Sequence, residues 1–164
     1  MQRIVVMGPP GSGKSTLARR LGAKLGLPVF HLDQFYWQPG WIETPSEVFV
    51  SEVERISRLP AWVIDGNYTH TITPRLRAAD TVIYLDVPAW LSVLRIVCRT
   101  LLTYGRVRKD AAPGCVERFD AGFLRFAWSW NRLRRTRSLA LVESFSGRTI
   151  VVRSRTDKHR LLSE

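Results

Sequence analysis

Eight consecutive residues, Gly8-Pro9-Pro10-Gly11-Ser12-Gly13-Lys14-Ser15, have the types and spacing needed to grip a chain of phosphates. Glycines let successive backbone N–H groups turn inward as an anion nest. A helix starting near Lys14 adds the positive end of its dipole. In this pattern the lysine reaches the β- and γ-phosphates and the serine hydroxyl ligates Mg²⁺. Thr16 follows within reach of the α-phosphate. The spacing therefore implies a nucleoside triphosphate, ATP with Mg²⁺, held by Gly8, Pro9, Pro10, Gly11, Ser12, Gly13, Lys14, Ser15 and Thr16.

Three carboxylates follow strand-like runs: Asp33, Asp65 and Asp86. In an open parallel sheet the ligand lies beyond the carboxyl ends of the strands, so Gly8 and all three carboxylates are expected around one crevice. Asp33 is the candidate for taking the proton of an acceptor hydroxyl or holding that acceptor; its plainer reading is a turn or cap aspartate. Asp86, just before Pro88, is expected to be a structural cap. Arg95 and Arg99 stand four apart and share a helical face. Arg106, Arg108 and Arg118 flank a stretch punctuated by Gly105, Pro113 and Gly114, which suits a lid closing over a transferring phosphoryl group. Arg153 and Arg155 are placed to frame the adenine. Arg75 or Arg77 is placed to hold an anionic acceptor. Phe35, Tyr36, Trp37 and Trp41 either line an acceptor pocket or simply pack.

The elements that must position these groups alternate in type. A β-branched run over 3–7 leads into the glycine loop, and a helix over 14–25 carries Leu17, Leu21 and Leu25 on one face until Gly26 and Pro28 stop it. Further strands are predicted over 29–32, 62–64, 81–86 and 149–152. Thr44-Pro45-Ser46-Glu47 reads as a capping box with proline at the first helical position, opening a helix that buries Phe49, Val53 and Ile56. A helix after Pro88 runs through Leu91, Leu94 and Cys98 to Leu101. A long helix is predicted from 115 or 116 to about 137, with Phe119, Phe123, Phe126 and Trp130 facing inward. Shorter helices are expected over 139–145 and 157–162. Strands alternating with helices mean an α/β fold, a parallel sheet covered on both faces in three layers.

With 164 residues, 45% apolar and 24% charged, the chain suits one domain, 1–164. Its most apolar stretch, 81–97, is broken by Asp86, Pro88 and Arg95, which excludes a membrane span. No signal-peptide pattern precedes the loop, so a cytoplasmic protein is expected. Cys98 and Cys115 make no disulfide framework and no zinc spacing, and Cys98 is expected in the core. His31, His70 and His159 stand apart in sequence. Of the net charge of +11, residues 95–137 supply most, with eleven basic residues against three acidic ones. Such a block attracts triphosphates, phosphorylated acceptors or nucleic acid.

Gly-Pro-Pro-Gly-Ser-Gly-Lys-Ser-Thr over 8–16 resembles the loop of adenylate-kinase-like enzymes. Val63-Ile64-Asp65-Gly66, Leu85-Asp86-Val87-Pro88, Arg95 with Arg99, and Arg108-Lys109-Asp110 resemble further parts of that family. The resemblance implies a five-stranded parallel sheet in the order 2-3-1-4-5 and a lid over about 100–120. It implies that Asp65 organises Mg²⁺ with Ser15, though a purely structural Asp65 remains open. Arg95 and Arg99 are implied to approach the base and the γ-phosphate. Catalytic roles are thus expected for Lys14, Asp33, Asp65, Arg99, Arg108 and Arg118. The family's residues after Asp-Gly are replaced here by Asn67, Tyr68 and Thr69, and its AMP-site motif gives way to His31-Leu32-Asp33-Gln34-Phe35-Tyr36-Trp37. Both departures resemble short bacterial P-loop proteins known as topology modulation proteins (FlaR-type). The resemblance implies an ATP-dependent kinase of a small molecule, a nucleotide or nucleoside. The alternative is a nucleic-acid-associated P-loop ATPase gripping DNA with the 95–137 block.

Overall fold

A computed structural model describes residues 1–163. Five strands, β1 (Arg3–Met7), β2 (Val29–His31), β3 (Trp62–Asp65), β4 (Thr81–Leu85) and β5 (Arg148–Val152), form one parallel sheet in the order β2-β3-β1-β4-β5. This is the expected 2-3-1-4-5 arrangement. Alternation along β1 explains the layering: successive side chains leave a strand on opposite faces. Val5 and Met7 join the core under α3 (Ser46–Ser57), whose Phe49, Val53 and Ile56 are fully buried. Ile4 and Val6 join the opposite core under α1 (Lys14–Leu25), with Leu17, Ala18 and Leu21. Strands buried on both faces carry apolar residues at nearly every position, as Trp62 to Ile64 do.

The connection after β2 is a single helical turn, α2 (Asp33–Tyr36), and a two-stranded ribbon pairing Trp37 with Glu43 and Gln38 with Ile42. A 3₁₀ turn (Thr69–Thr71) and α4 (Ile72–Ala78) follow β3, and α5 (Ala89–Thr103) follows β4. Then come α6 (Ala121–Leu133), α7 (Arg135–Glu143) and α8 (Arg155–Ser163). Among the described residues no helix is long and apolar enough to cross a membrane.

Four sequence expectations are corrected. The long helix is two helices, broken at Arg134 and begun only at Ala121, because Asp120 caps it by accepting from the Phe123 N–H at 2.9 Å. Phe119, Phe123 and Phe126 do not face inward; they are 51%, 38% and 36% exposed, and only Trp130 of that set is buried. On α5 the buried face is Ser92, Ile96 and Thr100, while Leu94, Leu101 and Cys98 are exposed. The reason is proximity: a Cβ on Gly11 would lie 2.5 Å from the Ser92 carbonyl oxygen and 2.9 Å from Ile96 Cγ1. A helix pressed this closely against the loop has no room for leucines on that side. At α3, Pro45 occupies the cap position and the Thr44 hydroxyl donates to the Phe35 carbonyl at 2.9 Å instead of capping.

Candidate functional site

The glycine loop joins β1 to α1, and its shape is set by neighbours. Gly8 has φ 143°, and a Cβ there would meet the Leu85 carbonyl oxygen at 2.6 Å, so only glycine fits. Gly13 is the N-cap of α1 in the left-handed region, which turns the first amides of the helix toward the loop's interior. Lys14 Nζ donates to the Pro9 carbonyl at 2.9 Å, across the loop from which it projects. Burial pushes its pKa down, and the charges of Asp65 and Asp33 push it back up.

Lys14, Ser15 and Thr16 line a cleft of about 1410 Å³ together with Asp33, Asp65, Asn67, Tyr68, Arg95, Arg99, Arg106, Arg108 and Arg118. Tyr36, Trp37 and Trp41 line it as well. A pocket for one small ligand spans roughly 300–1,000 Å³, so there is room for two substrates.

The carboxylates are held by partners distant in sequence. β2 and β3 are neighbours with His31 in register with Asp65, and His31 Nδ1 lies 2.6 Å from Asp65 Oδ1, both side chains being buried. Burial works against the charged imidazole, but the hydrogen bond and charge of Asp65 outweigh it and His31 is raised. Asp33 opens onto the cleft, and its Oδ1 accepts from the Tyr68 hydroxyl at 2.6 Å. The surrounding cleft walls raise its pKa, while the Tyr68 hydroxyl and Lys14 favour the ionised form. Tyr68 itself is pushed far up by burial and by Asp33, so its hydroxyl stays a donor.

One loop ties these parts together. The Asn67 side chain accepts from the Gly8 N–H at 3.2 Å and donates to the Gly8 carbonyl at 2.9 Å. Tyr68, next along, has φ 20°, an uncommon angle for a residue with a side chain. Arg75 holds the segment in place. It is completely buried and donates to the carbonyls of Gly66, Asn67, Tyr68 and Thr71 at 2.7–3.1 Å. Burial pushes its guanidinium down to about 9, which leaves it charged at neutral pH. The expectation that Arg75 holds an acceptor anion is therefore corrected: its donors are engaged by backbone carbonyls. Arg77 is exposed.

The arginines near the loop share a buried carboxylate that sequence reasoning missed. Glu117 Oε1 accepts from Arg99 Nη2 at 3.1 Å and from the Thr100 hydroxyl at 3.0 Å, and Oε2 accepts from Arg108 Nε at 2.7 Å. Burial disfavours the Glu117 carboxylate, yet Arg108 and Arg99 hold its pKa below the usual range. Asp110 lies 3.3 Å from Arg108 and 3.8 Å from Arg19, and the Ser15 hydroxyl also favours its ionised form. The signal was present in composition: Asp110, Glu117 and Asp120 are the only acids among eleven bases. Arg95 Nη1 donates to the Ser12 carbonyl at 3.2 Å.

Not every expected residue reaches the cleft. Asp86 turns away from it, binding Arg135 through two 2.7 Å hydrogen bonds and Arg153 through one of 3.4 Å. Arg153 is thus committed to Asp86, and neither it nor Arg155 lines the cleft. Among the described residues no cluster of three histidines, cysteines or carboxylates could hold a metal by itself. Ser15 and Asp65 both line the cleft and carry oxygen donors of the kind Mg²⁺ takes, one or two from protein with phosphates and water completing the shell.

No protein-family model matches the chain. A shikimate kinase of Rhodococcus jostii is 44% identical over 100 residues, covering 52% of this chain and 59% of that one. A cytidylate kinase of Desulfurococcus amylolyticus is 29% identical over 122 residues, covering 65% of each. The chain thus spans less than two thirds of these relatives' length. A crystal structure of a Chloroflexus aurantiacus protein provisionally assigned as a kinase superposes with a TM-score of 0.57 at 16% identity, over 99% of this chain and 95% of that one. Sheet order, phosphate loop and likenesses agree: the chain has the fold of an adenylate-kinase-like P-loop kinase.

Proposed function

We propose that the chain is an ATP-dependent phosphotransferase whose acceptor is a small hydroxyl-bearing molecule, a nucleotide or nucleoside in the first instance. The observation that carries this reading is that Lys14 and the Asp33–Tyr68 pair face one cleft large enough for two substrates. Phosphoryl transfer needs positioning and charge neutralisation more than covalent chemistry. The loop amides and Lys14 hold the triphosphate. The acceptor oxygen attacks the γ-phosphorus as its proton passes to the Asp33 carboxylate, and the bond from that phosphorus to the ADP oxygen breaks. Arg99 and Arg108, fixed by Glu117, neutralise charge on the transferring group, and Arg118 joins them as the 100–120 segment closes as a lid. Ser15 and Asp65 would hold Mg²⁺, which would supply charge neutralisation to the phosphates. Tyr36, Trp37 and Trp41 offer ring faces to a cyclic acceptor. Arg153 and Arg155 as adenine contacts find no support in the cleft lining.

The nucleic-acid alternative needs Arg125, Arg132, Arg134, Arg135 and Arg137 together on an outer face. Arg134 and Arg137 line the cleft and Arg135 is bound to Asp86, which favours the kinase reading. An ATP-consumption screen against nucleotides, nucleosides, polyols and cyclic hydroxy acids tests it, with Lys14→Ala as the blank. Turnover with one acceptor supports the proposal. Turnover with none, beside tight and salt-sensitive DNA binding, overturns it.

A further inference from the structure

Three cations lie near the start of α1. Arg95 donates to the Ser12 carbonyl at 3.2 Å. Lys158, in the first half of α8, holds its Nζ 3.7 Å from the point where a Cβ on Gly13 would stand. Arg20, one α1 turn beyond Thr16, lies near enough to repel it: burial lowers the Lys158 pKa first, and the charges of Arg20 and Arg95 lower it further. No described carboxylate forms an ion pair or hydrogen bond with any of the three. The nearest in sequence, Asp157, is occupied in accepting the backbone N–H groups of Arg153 and Ser154 at 2.9 Å. Like charges gathered around a half-buried ammonium cost stability unless an anion arrives.

The phosphate loop supplies the reason for an anion here. The transferring end of a triphosphate is served by Lys14, Arg99 and Arg108. Gly13 and Thr16 lie at the other end, where the α-phosphate and sugar leave the loop. We infer that Lys158 is a nucleotide-binding residue: with Arg95 and Arg20 it holds the non-transferred α-phosphate end of the bound nucleotide, so that the nucleotide site extends beyond the cleft lining, past Gly13, onto α8. The inference rests on the reading that the loop takes ATP. Because the α-phosphate keeps its charge throughout the reaction, Lys158 binds ground and transition states alike. Its loss belongs in KM for ATP rather than in kcat.

The test compares wild type, Lys158→Met, which keeps an unbranched stem without the charge, and Lys158→Arg. Calorimetry with Mg·ATP and Mg·ADP is expected to give Kd values about tenfold higher for Lys158→Met, largely restored in Lys158→Arg. Thermal unfolding of the nucleotide-free protein is expected to move the opposite way, to higher Tm in Lys158→Met, since a repulsion is removed. A role in packing alone predicts unchanged Kd values and a lower Tm in Lys158→Met. Arg20→Met is the independent variant, with a smaller rise in Kd. Unchanged nucleotide affinity in both methionine variants overturns the inference while leaving the kinase reading intact. A folded wild type that takes up neither nucleotide overturns both.

Discussion

Asn67 and Gly8 exchange two hydrogen bonds, the side-chain amide of one pairing with both backbone groups of the other at 3.2 and 2.9 Å. β1 and β3 pair as far as Val6 and Asp65, and the Asn67 amide continues that ladder one step beyond the strands. Since Tyr68 follows directly and bonds Asp33, one short loop fixes both the first glycine of the phosphate loop and the proposed acceptor carboxylate. Arg75, bonded to three consecutive carbonyls of the loop, keeps that relationship rigid.

Removing the clamp is expected to loosen the phosphate loop. Asn67→Ala leaves the N–H and carbonyl of Gly8 without their partner, costing about 1–3 kcal/mol in urea unfolding. Mg·ATP affinity is expected to fall about tenfold by calorimetry, a size typical of lost preorganisation. Wild-type affinity in a folded Asn67→Ala protein would mean that the loop holds its shape unaided.

Glu117→Gln tests the buried carboxylate between the arginines. Neutralising it leaves Arg99 without its ion-pair partner and Arg108 with Asp110 alone, at a cost of about 2–4 kcal/mol in stability. In steady-state kinetics kcat is expected to drop at least about tenfold, more than KM for ATP changes, because the arginines act on the transferring group. Unaltered kcat would remove these arginines from the proposed chemistry.

Asp33→Asn separates acceptor chemistry from nucleotide binding. Turnover is expected to fall by about 10²–10⁴, the range for a lost general base, with Mg·ATP affinity close to wild type. Retained turnover would leave Asp33 a structural residue of the α2 turn.

Acid stability is expected to depend on Asp86. The Arg135 hydrogen bonds hold its pKa below the ordinary 3.8, against the opposing effect of burial, and Arg153 adds to the depression. A depressed carboxylate contributes stability that is fully present above its unfolded pKa and is lost as pH falls through its folded one. Wild type is therefore expected to lose stability as pH drops below about 4, with a shallower loss in Arg135→Gln. Arg135 is 40% exposed, so solvent screening limits the difference between the two proteins to about 1 kcal/mol. Parallel urea titrations from pH 6 to pH 2 decide it, and identical slopes would contradict it.

The phosphate loop, the five strands and the helices that cover them were legible in the sequence because each is encoded in a short window: a glycine spacing, an alternation, a repeat of leucines. Helix ends and faces were less legible. The break at Arg134 and the exposed Leu94 and Leu101 depend on what packs alongside, and α5 presses so closely on Gly11 that its inner face must be Ser92, Ile96 and Thr100. The pairings that give the site its chemistry were decided by the tertiary structure alone. His31 meets Asp65 across 34 residues, Tyr68 meets Asp33 across 35, and Asn67 meets Gly8 across 59. Local pattern says that a residue stands at the end of a strand. Only the order of strands in the sheet decides which other strand end lies beside it, and so which carboxylate, hydroxyl or amide it finds there.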